Sequence, residues 1–204
     1  MSTKGRNDAP IRLFTTQEEW AAWLEKNHRK QDGLWLRIAK KDSGLTSVTY
    51  LEALETALCY GWIDGLKRPE SKKAWLQRFV PRRPKSLWSK INREKALALI
   101  ASGRMKEPGL EMIKQAQSDG RWETAYDSAK NSKVPADFQA VLDANPKALA
   151  FFAALDGTNR YAVLFRIQTA VKAETRSRKI QELVEMLKRN ERIHEPRRSR
   201  GSEK

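Results

Sequence analysis

Residues 49–80 read TYLEALETALCYGWIDGLKRPESKKAWLQRFV, and this run decides the fold class. Thr49 and Glu52 form a capping box: the hydroxyl accepts an orphan N–H of the first turn and the carboxylate reaches back to the cap. The spacing predicts a helix with Leu51, Leu54 and Leu58 inward and Gly61 as its stop. Trp62-Ile63 and Ala74 to Val80 predict two strands paired through a turn at Pro69–Ser71. Pro81 and Pro84 forbid continued pairing and stiffen the segment after the second strand.

Working outward, Thr16 and Glu19 predict a helix over 17–27 with Trp20, Trp23 and Leu24 on one face. Leu34 to Lys41 alternates as a strand, and Asp42-Ser43-Gly44 is a turn. Beyond Ser86 the pattern is helical. Ile91, Ala96, Leu99 and Ile100 mark one helix, and Pro108 opens another with Met112, Ile113 and Ala116. Asn131–Pro135 reads as a linker. Four helices come after it, near 136–144, 147–155, 159–172 and 176–189, with Thr158 and Thr175 at N-cap positions. The fold class is therefore α+β: a small, mostly antiparallel sheet covered by helices, then an all-helical C-terminal extension. The expected division is an N-terminal tail over 1–10, an α+β domain over 11–130, a helical region over 135–190 and a basic tail over 191–204, both tails being disordered.

The chain has 204 residues and a net charge of +15. Thirteen basic and two acidic side chains fall within residues 66–106, so most of the excess sits in one stretch, with Trp75, Phe79 and Trp88 interleaved. Such a field attracts anions over a Debye length of about 8–10 Å. One cysteine, Cys59, excludes an intrachain disulfide and reads as a small buried hydrophobe in a reduced, cytoplasmic protein. Two histidines and one cysteine argue against a zinc site, and no metal or other cofactor is expected. The longest apolar run, Ala148–Leu155, is far short of the ~20 residues a membrane span needs. Residues 1–10 carry no apolar secretory core.

The candidate ligand-binding residues are Trp62, Asp64, Arg78, Arg82, Arg83, Ser86, Trp88, Ser89 and Asn92. Arg82 and Arg83 lie between prolines, which lowers the entropy lost when a guanidinium fork grips a carboxylate or phosphate. Ser86 or Ser89 opens the next helix, whose free N–H groups also favour an anion. Asp64 either accepts a ligand hydrogen bond and orients Arg78 or Arg82, or makes an ordinary turn before Gly65. Trp62 is either a stacking wall or core. Lys40 and Lys41 either extend the basic surface or are simply solvated. The arginines of Thr175–Arg178 pair with Asp156 or Glu174, or meet an anion.

Several motifs together resemble the bacterial YdeI/OmpD-associated, or bacteriocin-protection, family. They are Ala57–Gly65, Arg78–Pro84, Ser86–Asn92, Gly103-Arg104-Met105, Gly120-Arg121-Trp122 and Thr175–Ile180, spread over about residues 13–190. Val80 departs from the family pattern, where Thr is expected. The resemblance implies an α+β domain and a helical region, tolerance to bacteriocins or antimicrobial peptides, and association with an outer-membrane porin. It implies no catalytic activity and no cofactor. A porin partner points to the envelope, whereas the start of the sequence points to the cytoplasm, and the latter carries more weight.

Four functions stay open. The leading one is a non-enzymatic binding or stress-protection protein with an anion-accepting pocket over residues 78–92, taking an anionic small molecule or polyanion. The others are a sequence-tolerant nucleic-acid binder, an enzyme with Asp64 as acid/base and Arg82 as anion clamp, and a protein–protein module built on exposed tryptophans.

Overall fold

The computed structural model describes residues 9–195, so the expected tails lie largely outside the described residues. The described chain divides into two compact units, residues 9–86 with 92–119, and residues 87–91 with 120–195.

The first unit contains β1 (Ile11–Arg12), α1 (Gln17–Asn27), β2 (Leu34–Ala39), α2 (Tyr50–Cys59), β3 (Trp62–Pro69), β4 (Ala74–Pro81), most of α3 (Lys90–Ala101) and α4 (Glu107–Ser118). Its sheet has the order β1-β2-β4-β3. β1 runs parallel to β2, and β2–β4 and β3–β4 are antiparallel. The predicted fold class is thus observed. Thr49 and Glu52 make the full capping box. At α1, Thr16 accepts the Glu19 N–H, but the Glu19 carboxylate bonds Thr15 instead of reaching back to Thr16. Leu54 and Leu58 are buried as expected, whereas Leu51 is 50% exposed. The inward face of α2 centres on Ala53, Leu54 and Ala57. At ~100° per residue, Leu51 lies roughly 110° round the helix from that centre. Ile91 and Ile100 are exposed as well, leaving Ala96 and Leu99 as the buried side of α3.

One face of the sheet carries Leu34, Leu36, Ile38 and Phe79 against α1 and α2. Trp20, at the centre, packs 5.7 Å from Phe79 and 6.3 Å from Trp62, and donates its indole N–H to the Ala53 carbonyl at 3.1 Å. β3 contains a bulge. Asp64 pairs with Phe79 but Lys67 pairs with Gln77, so three steps on β3 match two on β4. Buried Gln77 holds the bulge, donating its amide N–H groups to the carbonyls of Gly65 (3.0 Å) and Leu66 (3.3 Å).

The second unit contains α5 (Ala136–Asp143), α6 (Pro146–Ala153), α7 (Gly157–Gln168) and α8 (Ala173–Lys188) around Phe138, Leu142, Phe152, Val163, Ile167, Ile180 and Val184. The Asn131–Pro135 linker lies inside this unit. Residues 87–91 join it because Trp88 packs edge-on to Trp122 at 4.9 Å and Tyr126 donates its N–H to the Trp88 carbonyl at 3.0 Å. The caps differ from expectation. Asp156, not Thr158, caps α7, and Lys172 precedes α8 without a side-chain cap, so Thr175 lies inside the first turn. Arg176 pairs with Asp137 through two bonds of 2.6 and 2.8 Å, and Arg178 lies 3.7 Å from Glu182. Residues 193–194, expected in the tail, are held by buried Asn159, which accepts both backbone N–H groups.

Candidate functional site

Trp62 is 1% exposed. Its indole N–H donates to the His28 carbonyl at 3.1 Å, so it is a wall of the aromatic core. Asp64 stands opposite Phe79 on the helix-covered face and accepts the Tyr50 hydroxyl at 2.8 Å. Burial and the Asp64 carboxylate both push the Tyr50 pKa up. Arg78 is one residue from Phe79 on β4 and projects from the other face of the sheet, so it does not share a face with Asp64. Arg82 lies three residues past Phe79, about 10 Å along the chain. It is buried, and its backbone N–H donates to the Gly61 carbonyl at 2.9 Å. Arg83 is exposed. Its N–H donates to the Ser86 hydroxyl at 2.9 Å, and Ser86 returns its own N–H to the Arg83 carbonyl, closing a turn. Trp88 is a core residue of the second unit, and Ser89 forms a parallel bridge with Tyr126 there. Asn92 lies in the first turn of α3. Asp64 is therefore engaged by Tyr50 rather than by Arg78, and the two tryptophans of the expected pocket are packing residues.

The structure gathers cations elsewhere in the first unit. A cavity of about 600 Å³ opens where β2 ends, β4 begins and β3 runs out. Lys40 and Lys41 line it from the end of β2, Lys67 and Arg68 from β3, and Trp75 from β4, with Ala39 and Pro69 completing it. No carboxylate is among these lining residues. The Lys67 ammonium stands 4.0 Å from the centroid of the Trp75 ring, a cation–π distance. Tyr50 flanks the same ring at 5.9 Å. Lys40 donates to the Ser71 carbonyl at 2.8 Å. Nearby Glu70 is engaged by Arg37 through bonds of 2.6, 2.8 and 3.0 Å, and that partner raises the Arg37 pKa. On the other sheet face, Arg68 and Arg78 approach the ring of buried Trp35 at 4.3 and 5.8 Å. Burial lowers the Arg78 pKa, with the charge of Asp32 opposing.

Of the four cavity cations, the sequence marks Lys40 and Lys41 only as basic surface or solvated lysines. Lys67 and Arg68 carry no signal of their own beyond lying in the basic stretch. Cys59 is buried as expected, and burial pushes its thiol pKa up. A second cavity, about 420 Å³, lies in the other unit between Ala129, Tyr161 and Phe165, with Arg166 and His194 on its lining. Among the described residues no group of three or more His, Cys, Asp or Glu could hold a metal ion, and no helix is long and apolar enough to cross a membrane.

Residues 131–190, the helices α5 to α8, match the family described as bacteriocin-protection, YdeI or OmpD-associated. By that match the helical region is similar to the YdeI/OmpD-associated family. The match is narrower than the span over which the motifs were read. Residues 12–112 match a second family, a domain of unknown function (DUF8412). The motifs from Ala57 to Asn92, and the four-cation cavity, fall inside that second stretch. No curated protein and no solved structure matches the chain.

Proposed function

We propose that this chain is a non-enzymatic, protection-type binding protein that captures an anionic partner at the end of its sheet. The protection role is supported by the YdeI/OmpD-associated region. The anion-binding role is supported by one observation: four cationic side chains line a single cavity of about 600 Å³ with no lining carboxylate. Like charges gathered without counter-charges raise the local potential, and an anion relieves it. This reading moves the seat from residues 78–92 to Lys40, Lys41, Lys67 and Arg68, because Trp62 and Trp88 are consumed in packing and Arg78 does not share a face with Asp64. The non-enzymatic reading is supported by Asp64, whose carboxylate accepts a tyrosine hydroxyl with a raised pKa. Such a hydroxyl stays protonated near neutrality and keeps the Asp64 carboxylate engaged.

The test is calorimetric titration of the full chain with inorganic pyrophosphate at low salt. Binding is expected to weaken at least about tenfold, or roughly 1.4 kcal/mol, in a Lys41→Gln/Lys67→Gln double variant. Unchanged affinity in that variant, or no binding to the unsubstituted chain, overturns the seat.

A further inference from the structure

Arg68 belongs to two places at once. It lines the four-cation cavity, and its guanidinium carbon lies 4.3 Å from the centroid of the Trp35 ring. Arg78 stands directly across the β2–β4 ladder from Trp35 and reaches the same ring at 5.8 Å. Cations therefore continue from the cavity onto the sheet face that α1 and α2 do not cover. Trp35 is 2% exposed, yet its indole Nε1–H has no acceptor among the described residues, and neither has Nη1 of Arg78. Both atoms are sealed from solvent, so an incoming partner meets the half-buried guanidinium groups of Arg68 and Arg78 rather than these two donors.

The chemistry of that partner is set by the geometry. A guanidinium lying over an indole offers its second face to another flat group, and nucleobases stack on arginine in this way. Its N–H edges remain for phosphate oxygens. The distance decides between a small anion and a chain. Ala39, on the cavity, and Trp35 are four residues apart on β2, about 13 Å. One phosphate cannot reach both ends; a strand with repeating phosphates and flat bases can.

We propose that the chain binds single-stranded nucleic acid, laid from the Lys40–Lys67 cavity across Arg68 to the Trp35–Arg78 pair. This rests on the anion seat above and names the partner for it. The experiment measures affinity of the full chain for pyrophosphate, for a thymidine dinucleotide and for a thymidine octanucleotide, each over a salt series. The octanucleotide is expected to bind at least about tenfold tighter than the dinucleotide, with a salt slope near −0.7 per phosphate contacted. Arg78→Gln is expected to remove most of that gain and leave pyrophosphate binding unchanged. Arg68→Lys, which keeps the charge but loses the flat guanidinium over Trp35, is expected to weaken the octanucleotide. If length brings no gain, or if both variants bind the octanucleotide like the unsubstituted chain, the strand path is overturned while pyrophosphate binding keeps the anion seat. If inorganic polyphosphate or duplex of equal charge binds as tightly as the octanucleotide, assignment to single strands is overturned. If pyrophosphate does not bind the unsubstituted chain, both readings fall.

Discussion

Gly61, just past the end of α2, and Gly109, in α4, sit at a close approach of the two segments, and replacing Gly109 with Ala tests how tightly it is set. A Cβ on Gly109 would stand 2.6 Å from the Cys59 carbonyl oxygen and 2.7 Å from that of Leu58, with the Met105 sulfur closer still. Met105 is a flexible side chain and can move. The two carbonyls are backbone at the end of α2 and cannot move alone. From the other side, a Cβ on Gly61 would meet the Pro108 carbonyl at 2.8 Å, and Gly61 also has φ +71°. Overpacking of this kind costs about 1–3 kcal/mol. The lower backbone entropy of Ala in the unfolded chain returns about 0.4–1 kcal/mol. The expected net effect of Gly109→Ala is a loss of about 1–2 kcal/mol, which lowers a thermal midpoint by roughly 2–8 °C in a chain of this length. Gly157 is the matched control: it opens α7, its φ is not positive, and nothing lies within 4 Å of its Cβ position. Gly157→Ala is expected to be neutral or stabilising by up to about 1 kcal/mol. The assay is denaturant unfolding followed by tryptophan fluorescence, with hydrogen exchange in α4 and α7 assigning each effect to its unit. Equal midpoints for the two variants, or a stabilising Gly109→Ala, would refute the close-approach argument.

Two further predictions concern titratable groups. The Arg176 hydrogen bonds hold the Asp137 carboxyl below its ordinary range, and burial opposes them. A folded value below the unfolded value of about 3.9 means the contribution to stability is complete above that pH. It is lost as pH falls through the folded value. Carboxyl NMR should therefore show the Asp137 midpoint rising in Arg176→Gln, and an unmoved midpoint would refute the pairing. Cys59 is expected to react slowly with a disulfide reagent at pH 8 and quickly in denaturant, because burial raises its pKa; a full-strength burst from the native chain counts against its buried placement.

The legible parts of the fold are those written in local chemistry. Thr49-x-x-Glu52 fixes the start of α2, Leu34 to Ala39 alternates, and Pro81 ends β4 where it ends the pairing. The illegible parts depend on partners far along the chain. β1 is two exposed residues, too short to show a period, and exists through its parallel pairing with Trp35 and Leu36. Asp156 outcompetes Thr158 as a cap because α7 begins at Gly157, and its carboxylate takes the N–H of Asn159 at 2.9 Å. Arg176 finds Asp137, which is 39 residues away and has no sequence signal linking it to Arg176.

The candidate site is hidden in the sequence for one physical reason, the bulge in β3. Continuing the register from Asp64↔Phe79 without an extra residue would set Lys67 opposite Leu76 and Arg68 opposite Trp75. The observed register is Lys67↔Gln77 and Arg68↔Leu76. Because side chains alternate with period two, that single residue exchanges the faces of the two cations. Lys67 goes to Trp75, and Arg68 crosses to Trp35. The alternation of β3 read alone assigns each cation to the wrong aromatic, and the local hint in residues 62–69 is Gly65, since a glycine within a strand often marks a bulge. The stronger clue lies on the neighbouring strand. Gln77 is a 3% exposed polar residue between Trp75 and Phe79 on the helix-covered face of β4, where a simple sheet would place an apolar one. A buried amide needs acceptors, and it finds them in the carbonyls that the bulge turns inward at Gly65 and Leu66. The polar intruder on β4, rather than any charge on β3, is what locates the site: it holds the bulge, and the bulge hands one cation to each face of the sheet.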